Sequence, residues 1–190
     1  VAQWLFGAGA AEDVRTADRN GDTPMLVACQ KGRLEVAQWL FGAGAAEDVR
    51  TTNSKGQTPL FIACKQGRLE FAKWLFDNGA AEDVRTADSN GNTPMLIACE
   101  NGHLEVAQWL FGAGAAEDVR TADEDGSTPM LVACFNGHLE VAQWLFGAGA
   151  AEDVRTANRY FGWTPMYLAC KNGHLEVAQW LFGAGAAEDV

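Results

Sequence analysis

The chain has 190 residues, 48% of them apolar and 21% charged, with a formal net charge of −11. That balance excludes a disordered segment, and no apolar run reaches the roughly 20 residues that cross a bilayer. The strong acidity argues against a nucleic-acid partner, because phosphate binding needs clustered Lys and Arg.

Self-similarity dominates the chain. Thr-Pro recurs at Thr23-Pro24, Thr58-Pro59, Thr93-Pro94, Thr128-Pro129 and Thr164-Pro165, a step of 35 residues that becomes 36 at the last one. Cys29, Cys64, Cys99, Cys134 and Cys170 keep the same step, as do Trp4, Trp39, Trp74, Trp109, Trp144 and Trp180. The period divides a single repeat domain into a half unit, 1–17, and five full units, 18–52, 53–87, 88–122, 123–157 and 158–190.

Each unit reads as turn, helix, helix, return loop. In the first full unit, Asn20-Gly21 signals a tight turn, since both residues tolerate positive φ. Thr23 is a helix N-cap, and Pro24 sits at the first helical position, where its missing N–H costs nothing. A short apolar helix through Met25, Leu26, Val27 and Cys29 stops at Gly32. A second helix is predicted from Leu34 to Phe41, with Leu34, Ala37, Leu40 and Phe41 on one face. Gly42 and Gly44 end it, and the return loop follows. So short a helix pair cannot bury its own apolar face, but stacked copies can.

These residues resemble ankyrin repeats. The family's tip and first helix read D-x-x-G-x-T-P-L-H-x-A, followed by G-H-L-E-V. The third full unit reads Asp88-Ser89-Asn90-Gly91-Asn92-Thr93-Pro94-Met95, then Gly102-His103-Leu104-Glu105-Val106. The resemblance covers the whole chain and implies an all-α solenoid of helix-turn-helix units with short turn tips. There are departures. The family's His after T-P-L is Leu26, Phe61, Leu96, Leu131 and Tyr167, which puts more apolar surface on the inner helices. The second Ala of the family's pair is Cys, and Arg50 and its equivalents replace an Asn. The return segment around Ala45-Ala46-Glu47-Asp48 is two residues longer than usual.

Several patterns imitate chemistry. Equivalent cysteines on stacked helices stand about 8–10 Å apart, too far for a disulfide or for shared zinc ligation. They read as small buried apolar side chains, and no metal or cofactor is expected. An odd cysteine count suits a reducing, intracellular and so cytoplasmic setting. Gly42-Ala43-Gly44-Ala45-Ala46 looks like half a phosphate loop, but it follows a helix and runs into Glu47 and Asp48. His103, His138 and His174 march along the stack and read as helix-start packing. The recurring Glu47-Asp48 pair reads as a solvated loop edge partly balanced by Arg50 and its equivalents. A catalytic pair would be singular, so no enzyme is predicted. The tryptophan ladder reads as packing between units.

Function is sought where the units differ. The recurring frame carries 20 acids against five arginines, and the other positions carry nine bases against five acids. The acidity therefore belongs to the frame. Differences concentrate at tips and first helices, which in ankyrin-like folds line the concave face that holds a partner. The candidate contacts are Arg19, Asn20, Asp22 and Lys31, then Lys55, Gln57, Phe61 and Lys65. Asn90, Asn92 and Glu100 follow, then Glu124, Asp125, Leu131 and Phe135. Arg159, Tyr160, Phe161, Trp163, Tyr167 and Lys171 complete the set. The last tip, Arg159-Tyr160-Phe161-Gly162-Trp163, holds the extra residue and three aromatics. With Tyr167 and Phe135 it gathers five aromatics where other units are polar, a composition typical of interface hot spots. The competing role for this tip is a cap folded over the end of the stack.

The expectation is a non-catalytic scaffold for another protein. The alternative is an assembly protein that stacks head-to-tail through uncapped ends, starting from a bare second helix near Val1.

Overall fold

The computed structural model describes residues 10–185. Trp4, the helix expected near Val1 and residues 186–190 lie outside them. Ten α-helices form an all-α solenoid, with no strand among the described residues. The first helices of the five units are α1 (Pro24–Lys31), α3 (Pro59–Lys65), α5 (Pro94–Glu100), α7 (Pro129–Phe135) and α9 (Pro165–Lys171). The second helices are α2 (Leu34–Leu40), α4 (Leu69–Leu75), α6 (Leu104–Leu110), α8 (Leu139–Leu145) and α10 (Leu175–Gly183).

Each first helix starts as the sequence implies. The threonine hydroxyl accepts the N–H three residues on, at 3.3 Å for Leu26 and 3.1 Å for Phe61 and Leu96. The second helices depart from expectation. The helical path does not end at Gly42. It widens into a π-turn over Phe41–Ala45, breaks at Gly44 (φ 109°), and continues as a 3-10 helix over Ala46–Val49. The long return segment predicted as a loop is this helical turn. Gly44 supplies a left-handed backbone that a side chain would disfavour.

First helices pack against their neighbours along the stack, and each second helix packs on its own first helix. Met25, Met95 and Met130 are fully buried between them, with Leu75, Leu110 and Leu145. At the outer side, each phenylalanine meets the next unit's tryptophan edge to face. The pairs are Phe41–Trp74, Phe76–Trp109 and Phe146–Trp180 at 5.8 Å, and Phe111–Trp144 at 5.9 Å. The tryptophan ladder is packing between units. Four cysteines are buried and all five are free thiols. Burial pushes the Cys134 thiol up to about 12, which leaves it protonated and inert.

The histidines hold consecutive units together. His103 Nε2–H donates to the Lys65 carbonyl at 3.2 Å, His138 to Glu100 at 3.1 Å and His174 to Phe135 at 3.0 Å. Each ring lies over the glycine that ends the preceding unit's first helix. A Cβ on Gly102 would stand 2.7 Å from the His138 ring, where φ is +74°. Arg68 takes the same place over Gly32. Burial pushes the His103 imidazole below its usual value and keeps it neutral.

The paired acids are not a solvated edge. Glu47, Glu82, Glu117 and Glu152 are exposed, but Asp48, Asp83, Asp118 and Asp153 have side chains only 2–3% exposed. Each aspartate pairs with an arginine from the preceding unit. These pairs are Arg15–Asp48 and Arg50–Asp83 at 3.2 Å, Arg85–Asp118 at 3.0 Å and Arg120–Asp153 at 3.1 Å. The same arginines also pair with the exposed glutamates. In each aspartate Oδ1 takes the arginine, while the buried Oδ2 has no hydrogen-bond partner. Burial therefore pushes the Asp83 carboxyl up although Arg50 opposes it.

Two outcomes follow from these contacts. Gly102→Ala should lower stability by about 2 kcal/mol through strain and the clash with His138. Adding His138→Ala should recover the steric part, as urea unfolding of both variants checks. The raised Asp83 pKa means that its charge is a burden at neutral pH, lifted as pH falls through the folded value. Arg50→Ala, which strands that charge, should therefore lower the urea midpoint at pH 7 more than Asp83→Asn does. The gap should narrow near pH 4.

Candidate functional interface

The turn tips are fixed by their opening residue. Asp18 Oδ1 accepts the N–H groups of Asn20 (2.8 Å) and Asp22 (2.9 Å), and Asn53 Oδ1 accepts those of Lys55 (3.0 Å) and Gln57 (3.1 Å). One backbone bond then ties each tip to the next: Ser54 N–H to Asn20 O, Ser89 to Lys55, Glu124 to Asn90, and Arg159 to Asp125. The fifth tip absorbs its extra residue at the opener. Asn158 Oδ1 accepts from Phe161 (3.3 Å) and Trp163 (3.1 Å), three and five residues on rather than two and four.

On this frame most predicted contact residues are accessible. Arg19, Asn20, Lys31, Lys55, Asn90, Glu124, Asp125, Phe135, Arg159, Tyr160, Phe161, Tyr167 and Lys171 are exposed. Asp22, Lys65, Asn92, Glu100 and Trp163 are partly exposed. Three predicted contacts are corrected. Phe61 (0% exposed) and Leu131 (3%) are packed between units, and Gln57 (9%) is buried with its Oε1 accepting from Asn53. Packed in this way, they leave little or no surface to offer a partner.

The aromatics separate into two groups. Phe161 and Trp163 stack at 4.2 Å and 14°, and Trp163 and Tyr167 stack at 6.0 Å and 15°. Lys171 Nζ stands 4.0 Å from the Trp163 ring centroid, a cation–π contact. Tyr160 and Phe135 are exposed outside that stack. Tyr167 is 49% exposed, whereas its counterparts Leu26, Phe61, Leu96 and Leu131 are buried by the following unit. Trp163 stands where Asp22 contacts Asn53 of the next unit. The stack thus lies on the flank of unit five that faces away from unit four, with Lys171 over its Trp163 ring.

The residue after each cysteine forms a separate row: Gln30, Lys65, Glu100, Phe135 and Lys171. It faces away from the second helices, since Met25, Ala28 and Cys29 take the core side of α1. Glu100 is the electrostatically loaded member. Burial pushes its carboxyl up, with Asp123 and Asp88 adding to the shift and Lys65 opposing it. The Asp123 carboxyl is raised as well, by burial and then by Asp125.

The repeated capped helix pairs with their tip-to-tip bonds decide the family. A family model described as ankyrin repeats (3 copies) matches residues 46–123 and 114–190. Another, ankyrin repeats (many copies), matches residues 1–41. The chain belongs to the ankyrin-repeat family. No curated protein sequence matches it. Ankyrin repeats are in general protein–protein interaction modules, and typically non-catalytic scaffolds. Among the described residues of this ankyrin array, no His, Cys, Asp and Glu group has the geometry to hold a metal, and no helix is long and apolar enough to cross a membrane.

Because the folded Glu100 carboxyl is raised, its ionised form opposes folding at neutral pH and ceases to do so as pH falls through the folded value. Glu100→Gln should raise the thermal midpoint at pH 7, with the gain shrinking towards pH 4. Calorimetry at the two pH values checks this.

Proposed function

We propose that this ankyrin-repeat chain is a non-catalytic scaffold that holds another protein against its tips and first helices. The observation carrying this reading is the fifth unit, where Phe161, Trp163 and Tyr167 stack under Lys171 and leave Phe161 66% and Tyr167 49% exposed. Aromatic side chains held rigid and open lose little entropy on binding and dominate interface energies. The variable tips add polar contacts on a surface already ordered by backbone bonds. Free thiols accord with an intracellular, cytoplasmic setting.

A second reading, head-to-tail self-association, also has an observation in its favour. Val27 and Val36 are 41% and 42% exposed, although their counterparts Ile62 and Phe71 are buried. They line an open groove of about 480 Å³ with Pro24 and Leu40. At the opposite flank Leu175 (67%) and Phe182 (59%) are exposed. Two such flanks can join in a heterologous contact.

One set of measurements separates the readings. Immobilised chain should retain a partner that Trp163→Ala binds more weakly by about 2 kcal/mol, with the thermal midpoint little changed. A large drop in midpoint with unchanged retention would instead make the stack a structural cap. Sedimentation over a wide concentration range should give a constant mass. Mass growing with concentration, and weakened by Val36→Asp, would favour assembly.

A further inference from the structure

The row Gln30, Lys65, Glu100, Phe135 and Lys171 changes its side chain at every step from one unit to the next. Its last four members read basic, acidic, aromatic, basic. They sit on α3, α5, α7 and α9, which pack directly on one another, so successive side chains are about 8–10 Å apart. Lys65 acts electrostatically on Glu100, which places those two as neighbours along the row. The Glu100 carboxylate is partly buried and has no hydrogen bond among the described residues; Lys65 attracts it while Asp123 and Asp88 repel it, which leaves its oxygens open to a ligand cation. Phe135 is 41% exposed. Lys171 is exposed and contacts ring faces, with no carboxylate within ion-pair distance among the described residues.

An extended ligand laid along this row must repeat at the same spacing. A β-strand points alternate side chains to opposite faces, so its every-third residues do not share a face. A polyproline II helix has three residues per turn and rises about 3.1 Å per residue. Every third side chain then returns to one face after about 9 Å, which matches the helix spacing.

We infer that the row binds a polyproline II segment of a partner protein whose residues at every third position read acidic, basic, apolar, acidic. The acids pair with Lys65 and Lys171, the base with Glu100, and the apolar side chain rests on Phe135. This inference rests on the scaffold reading above and gives its partner a chemistry.

The test uses fluorescein-labelled, proline-based decapeptides with variable residues at positions one, four, seven and ten. One carries Asp, Lys, Leu and Asp, and a second carries the same residues in reverse order, because the chain direction is open. A third and a fourth carry Lys, Asp, Leu and Lys in the two directions. In fluorescence polarisation with the whole chain, one of the first two should bind at least about tenfold more tightly than either charge-reversed peptide, a difference of about 1.4 kcal/mol. The Lys65→Glu, Glu100→Lys double variant, with folding verified by its unfolding midpoint, should shift the preference to a fifth peptide that carries Lys, Asp, Leu and Asp in the direction the unaltered chain prefers. Equal binding of all peptides, including none detectable, overturns the inference, as does a double variant with unchanged preference. A partner protein that is lost with Trp163→Ala but indifferent to the double variant would leave the scaffold reading standing and sink this one alone.

Discussion

The contact between neighbouring units is the constraint on which every other feature depends. Most helices here have seven residues, well under the roughly 12–15 at which an isolated helix becomes even marginally stable in water. None of them would persist alone. What holds them is burial against the next copy, reinforced among the described residues by four kinds of link: a phenylalanine on a tryptophan edge, a tip-to-tip backbone bond, a ring or guanidinium over a glycine, and an arginine on a buried aspartate. These links run along different edges of the unit. Together they fix both the distance and the rotation between copies, which a greasy face alone would leave loose.

The arginine link also explains how so acidic a chain tolerates its own charge. The four return segments from Glu47-Asp48 to Glu152-Asp153 each add two acids, but the preceding unit's arginine reaches both. One of those acids is buried with an oxygen unsatisfied, and burial raises Asp83 in spite of its partner. A buried ion pair of this kind is weak evidence for net stability and better evidence for register, because a mismatched stacking would strand the carboxylate. In an array of near-identical copies, register is the property most in need of protection.

The period made the fold legible almost completely. Thr23-Pro24 and its copies located every first helix, and the tryptophans marked the ladder. Repetition was a poorer guide to the inside and outside of a unit. Glu47 and Asp48 recur together and look alike in sequence, yet one is in water and the other is not. Arg15 of the preceding unit reaches both, so the difference lies in which carboxylate the 3-10 turn directs into the stack, and adjacency in sequence carries no such information. The opposite error occurred at Phe61, Gln57 and Leu131. Variation or departure from the family pattern suggested a surface, but between stacked units a residue can differ simply because its immediate neighbours do. The helical return segment was missed because Gly42 and Gly44 look equivalent, and only Gly44 adopts the left-handed backbone.

A stacked array communicates mainly between adjacent units, which gives the row on the first helices its significance. Strain introduced at one unit is not averaged over the whole molecule. Burial loads the Glu100 carboxyl first; Lys65 of the preceding unit opposes this, Asp123 of the next unit and Asp88 of its own add to it, and no hydrogen bond among the described residues relieves it. A frame that repeats Leu-Glu-Val-Ala and Ala-Glu-Asp-Val so faithfully offers a neutral alternative at this position in Gln30, one that would remove the repulsion. A destabilising charge kept where the side chain faces away from the core gains nothing for folding. Its energetic consequence is felt where a cation can approach from outside, and the stiffness of the four links ensures that the approach meets a site already in place.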